Sequence, residues 1–129
     1  MSSRNTTAVR FRYHNQQRSD MDFYELETCV ETWAADKGIL EKATPMAQAL
    51  KTLEEVGELM FAIEKESETK EDNGAEIMDA IGDIAVTLII QCKMQGMTLE
   101  QCLEHAWLQI KDRKGKMVNG VFIKENTGA

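Results

Sequence analysis

Residues 75–95, AEIMDAIGDIAVTLIIQCKMQ, constrain this chain more than any other stretch. At about 100° per residue, Glu76, Asp79 and Asp83 fall within about 60° of one another on a helix. Val86, Thr87 and Ile90 continue that sector, and Ile81, Ile84 and Leu88 occupy the opposite one. A helix apolar on both sides belongs in the centre of a bundle. Its acids then lie on a stripe that packing partly buries, and unpaired buried carboxylates cost roughly several kcal/mol each. The segment therefore asks for a helical architecture and for a cationic partner. IAVTLII, residues 84–90, is the one candidate strand. It carries on the spacing of Ile77 and Ile81 without a breaker, so we read helix.

The rest of the chain agrees. Its 129 residues fit one domain with one core. There is a single proline, Pro45, and no strong hairpin signal, so the expectation is an all-α, four-helix-bundle-like protomer. The spacing of Phe23, Leu26, Val30 and Trp33 predicts a first helix over 20–37, stopped by Gly38. A second starts with Thr44 as N-cap and Pro45 at the first helical position, and runs to Lys65. Residues 66–74, ESETKEDNG, read as a solvated loop. The acidic helix follows, closed by Gly96, and Thr98 opens a fourth through a capping box with Gln101. That helix ends in a basic run, KDRKGK.

The formal net charge of −7 argues against duplex nucleic acid as a partner of the body. Residues 1–19 form a basic arm, with Arg4, Arg10, Arg12 and Arg18, expected to be flexible or docked on a partner. Residues 20–125 form the functional domain and 126–129 a short tail. The arm lacks the apolar core of a secretory signal, and no apolar run is long enough to cross a membrane. The three cysteines, Cys29, Cys92 and Cys102, then read as reduced thiols in a cytoplasm. Zinc is disfavoured: there is no CxxC, and His14 and His105 are isolated.

The second helix contains TLEEVGEL, residues 52–59. Its wheel places Val56, Leu59, Met60 and Ile63 on one stripe, with Lys51, Glu55 and Glu58 along the flank and Glu54 further toward solvent. An E-E-x-x-E run alone is common on wet helix faces. An acidic pair at a stripe edge, followed by three aligned acids on a nearly all-apolar helix, is not. Lys51 can pair with Glu55 one turn on, but one lysine cannot neutralise the whole set. A hard divalent cation can, because Mg²⁺ takes carboxylate and water oxygens and completes its shell with substrate phosphates. The Glu-x-x-His of a di-iron centre is absent. That leaves Mg²⁺, with Mn²⁺ as a substitute.

These residues resemble the MazG-like all-α nucleoside triphosphate pyrophosphohydrolases, of the short type found in phages and bacteria. The resemblance rests on EEVGE (54–58) followed by Glu76-x-x-Asp79. It also rests on Trp33-Ala34 with Lys37-Gly38, on Gln48 and Lys51 ahead of the acids, on DAIGD (79–83), and on RKGKMVNGVFIKE (113–125). It spans roughly Phe23 to Glu125. It implies a Mg²⁺-dependent four-helix protomer, working as a dimer or tetramer, that cleaves a nucleoside triphosphate to monophosphate and pyrophosphate.

Carried over residue by residue, Glu55 and Glu58 match the first metal-binding pair and Asp83 the aspartate of the second. The glutamate that many members carry three residues before that aspartate is Ala80 here. Asp79 and Glu76 are thus both candidates to complete the set. Glu54 is the candidate base or supporting carboxylate. Gln48, Lys51, Trp33, Lys111, Arg113, Lys114, Lys116 and Asn119 are candidate substrate contacts, although Trp33 also reads as a core residue and Asn119 as a turn residue. Two alternatives stay open: a dUTP- or diphosphate-specific all-α hydrolase, and a non-catalytic acidic helical binding module.

Overall fold

The computed structural model describes residues 19–125; the basic arm (1–18 of it) and the 126–129 tail lie outside the described residues. Among the described residues, five helices and a hairpin follow one another: α1 Phe23–Asp36, α2 Ile39–Lys42, α3 Pro45–Thr69, α4 Gly74–Met94, α5 Leu99–Ile110, β1 Gly115–Val118 and β2 Val121–Lys124. The architecture is mostly helical, and residues 84–90 are helix rather than strand.

Local chemistry sets the helix boundaries. Asp22 caps α1 in a reciprocal box with Glu25, so the helix begins at Phe23 rather than at residue 20. Gly38, at φ 81°, turns the chain into the short α2. Thr44 Oγ1 accepts from Ala47 N at 3.1 Å with Pro45 at the first position of α3, and Thr98 and Gln101 form the expected box on α5. Gly96, at φ 75°, separates α4 from α5.

Three expectations need correction. Helix α3 runs on through Glu66–Thr69, residues read as loop. Thr69 Oγ1 bonds back to the Lys65 carbonyl at 2.9 Å, and the helix stops only at Lys70, φ 64°. Second, residues 115–124 form a hairpin. Asn119 and Gly120 both take left-handed φ (53° and 82°), the geometry a two-residue type I′ turn requires, and pair β1 with β2 antiparallel from Val118–Val121 to Gly115–Lys124. Asn119 is the turn residue expected; the strands beside it were not expected. Third, Trp33 is not core: it is 48 % exposed on α1.

The centre of the fold is the antiparallel α3/α4 pair, with α1 packed on α4. Along α3 the side turned to α4 includes Gln48, Glu55 and Ala62, all buried; of the expected stripe of Val56, Leu59, Met60 and Ile63, the first two are half-buried and the last two exposed. Hydrophobicity alone does not choose the inner side of α3, because Gln48 and Glu55 face α4 while Met46, Leu50, Leu53 and Met60 are exposed. Small Ala62 and Ala80 do, because they let the two backbones come close. A second tertiary tie joins the far end: the buried Glu27 carboxylate accepts from Leu99 N and so caps α5 from α1. None of the described helices is long and apolar enough to cross a membrane.

Candidate metal centre

The α3/α4 pairing fixes which acids meet. Asn73 Nδ2 donates to the Ala62 carbonyl at 2.9 Å near the loop. Further along, Gln48 Nε2 donates to the Thr87 carbonyl at 3.4 Å, and Thr52 Oγ1 lies 2.8 Å from Thr87 Oγ1. Between these two ties, Glu55 and Glu58 of α3 come opposite Asp83 of α4. One oxygen from each of the three lies within 4.8 Å of the others. Glu58, Asp79, Asp83 and Glu76 line one cleft of about 430 Å³, with Phe61, Ala62, Lys65 and Ala80.

Glu55 is the unusual member. Its side chain is 9 % exposed, and one oxygen, Oε2, stands 3.3 Å from Lys51 Nζ. The other, Oε1, is buried with no hydrogen-bond partner. A buried carboxylate oxygen without a donor is costly, and native structures rarely leave one. Glu58 and Asp83 are exposed and make no hydrogen bond or ion pair among the described residues, so the fold does not use them. The expected burial of the α4 acids is thus corrected: Glu76, Asp79 and Asp83 are exposed, while Ala80 and Thr87 on the same side are buried. The donor set is all carboxylate, which suits Mg²⁺ or Mn²⁺ rather than a soft metal.

The register ambiguity on α4 narrows. Asp83 converges with the α3 pair, Asp79 lines the cleft beside it, and Glu76 turns to Lys65, whose Nζ is 3.5 Å from its carboxylate. The Asn73 side chain, and then the Lys65 charge, hold the Glu76 carboxyl below its ordinary value. Such a group adds stability above its unfolded pKa and loses it as pH falls through the lower folded one. Glu76→Gln is expected to flatten the acid limb of a melting-temperature profile from pH 3 to 6. An unchanged acid limb would show that the Asn73 and Lys65 contacts carry no stability.

The remaining candidates divide. Lys51 pairs with Glu55 and, at 3.5 Å, with Glu54; both carboxylates hold its ammonium above the ordinary value, Glu55 first. Glu54 is 59 % exposed and lies outside the converging trio. Gln48 is occupied beneath the site by Thr87. Trp33 on α1, and Lys111, Arg113, Lys114, Lys116 and Asn119 at the end of α5 and on the hairpin, do not line the acidic cleft. Lys65, Thr52 and Thr87 were not anticipated. Lys65 follows Glu58 by two turns, a spacing that sets both on one face; Thr52 and Thr87 carry no such signal, because each is read only through the other helix.

Part of the chain is 38 % identical, over 72 residues, to an uncharacterized 18.2 kDa protein from the rep-hol intergenic region of Haemophilus phage HP1. The match covers 56 % of this chain and 40 % of that protein. No family model and no solved structure matches the chain.

Proposed function

We propose that this protein is a Mg²⁺-dependent pyrophosphohydrolase that splits a nucleoside triphosphate into the monophosphate and pyrophosphate, and that it belongs with the MazG-like enzymes it resembles. The observation that carries the reading is the orphaned Glu55 Oε1, buried within reach of two carboxylates that the fold leaves unused. A divalent cation answers all three at once. The similarity to a phage protein supports a role in an infected cell's cytoplasm.

When bound, Mg²⁺ supplies charge neutralisation along the phosphates and activation of the attacking water. The chain's own residues do the rest. Glu55, Glu58 and Asp83 would hold the cation, with Asp79 beside them. Lys51 fixes the Glu55 carboxylate, and Lys65 presents a positive charge at the rim of the cleft, where a phosphate oxygen can be received. Glu54, one residue before Glu55 and paired with Lys51, is the proposed acceptor of the attacking water's proton.

The test is a panel of canonical and modified nucleoside di- and triphosphates with Mg²⁺ or Mn²⁺, with the products identified by chromatography. A monophosphate and pyrophosphate are expected, and none in excess EDTA. Diphosphate with orthophosphate, or full turnover in EDTA, would contradict the reading. Cleavage of dUTP or diphosphates alone would select the narrower hydrolase, and no turnover of any nucleotide the binding module.

A further inference from the structure

Three sulfur atoms meet where α4 gives way to α5. Cys92 lies in the last turn of α4, Met97 in the connection and Cys102 in the first turn of α5. Gly96, at φ 75°, reverses the chain, and Met97 N donates to the Cys92 carbonyl at 2.9 Å. This turn brings the Cys92 and Cys102 sulfurs to 3.6 Å, and the Cys102 sulfur to 3.3 Å from Met97 Sδ. The two thiols are in van der Waals contact, with no room for water between them.

The two are not equivalent. Cys92 is buried and Cys102 half-buried, so Cys102 is the one that solvent reaches. The Cys102 S–H donates to Met97, which leaves Cys92 as the donor between the thiols. Burial first, then this bond, pushes the Cys92 thiol up to about 11, so it keeps its proton at neutral pH. An accessible sulfur that accepts a bond, touched by a buried thiol, is a dithiol arranged to oxidise in a fixed order. Cys29 provides the contrast. It is exposed and also set against a methionine sulfur, Met21 Sδ at 3.6 Å, but no second thiol stands beside it among the described residues.

We propose that Cys92 and Cys102 form a modification site that a peroxide converts to a disulfide, clamping α5 to α4. The Cys102 thiolate attacks one oxygen of hydrogen peroxide. The O–O bond breaks, hydroxide leaves, and Cys102 becomes a sulfenic acid. The Cys92 sulfur then attacks the Cys102 sulfur. The S–S bond forms, the S–O bond breaks, and the departing hydroxide takes the Cys92 proton and leaves as water. Two thiols and one peroxide give one disulfide and two waters, with two electrons passing from sulfur to oxygen. Disulfides of a reducing cytoplasm are of this transient, sensing kind, and small thiols reverse them. The consequence is mechanical. No residue of α5 is buried, and Glu27 on Leu99 N is a polar tie alone. The disulfide adds a covalent one. The site is independent of the metal reading, because Asp83 lies nine residues back, about 13 Å along α4.

The experiment treats the reduced full chain with a small excess of hydrogen peroxide, alkylates the remaining thiols and digests with trypsin. Cleavage after Lys93 puts Cys92 in peptide 71–93 and Cys102 in peptide 94–111. These two should be recovered joined, two hydrogens lighter than their sum, with Cys29 alkylated, and should separate again after reduction. Cys29→Ser should link as wild type does, and Cys102→Ser should leave Cys92 alkylated. The linked chain should melt about 5–10 °C above the reduced one, because the tie closes a short loop in the unfolded chain as well. Peptides recovered apart, or Cys29 as the dominant partner of either thiol, would overturn the site. A linked chain that melts no higher would overturn the clamp. The wild-type peptide map decides the matter even if Cys102→Ser fails to fold.

Discussion

Asp83→Asn is expected to lower turnover of the preferred triphosphate by about a thousand-fold or more, equivalent to roughly 4 kcal/mol of transition-state stabilisation. Asp83 is the one α4 acid that converges with both α3 glutamates. Its side chain is exposed and tied to nothing among the described residues, so the amide should leave the fold and its melting temperature in EDTA nearly unchanged. Asp79→Asn should cost less, because Asp79 lines the cleft without joining the trio. Glu76→Gln should cost least, because Lys65 already engages that carboxylate. Steady-state pyrophosphate release at saturating Mg²⁺ measures all three. If Glu76→Gln is as damaging as Asp83→Asn, the second metal pair is Glu76 with Asp79, and the convergence on Asp83 is incidental.

Glu55→Met should stabilise the protein in EDTA and destabilise it, relative to wild type, in Mg²⁺. Methionine fills a similar volume and removes a buried charge with one unsatisfied oxygen, which costs about 1–3 kcal/mol. Lys51 keeps Glu54 as a partner at 3.5 Å, so it is not stranded. A gain of this size raises the melting temperature by about 4 °C per kcal/mol for a chain of this length. Cation binding reverses the order, because a ligand at a hundred times its Kd adds about 2.7 kcal/mol to the form that binds it. Melting curves at one protein concentration, in EDTA and in millimolar Mg²⁺, read both effects. If the methionine variant melts lower than wild type in EDTA, the Lys51–Glu55 pair is structural and the orphaned oxygen carries no penalty.

The features legible in the sequence are those whose cause is local. Thr44–Pro45, Thr98–Gln101, Gly38 and Gly96 act within one turn of chain, and the structure uses each as expected. The acids of α3 and α4 were also legible, because spacings of three and four place them on one face whatever packs there. The hairpin has a local cause too: Asn119-Gly120 between Val118 and Val121 is a strong short-range hairpin signal, contrary to the all-α expectation. The inner side of α3 was illegible for a deeper reason. The side that meets α4 carries Gln48, Glu55 and Ala62, while the apolar Met46, Leu50, Leu53 and Met60 are exposed, so hydrophobicity points away from the contact. Glu27 could not have been placed either, since the helix end it caps begins 72 residues away.

The most direct test of the central claim is a calorimetric titration of Mn²⁺ into wild type and into Glu58→Gln at pH 7. The wild type should bind the cation saturably, and the variant, whose Glu58 is exposed and structurally unused, should lose that binding while keeping its helical spectrum. Equal binding to both proteins, or none to the wild type up to about 10 mM, would contradict a metal centre built from Glu55, Glu58 and Asp83.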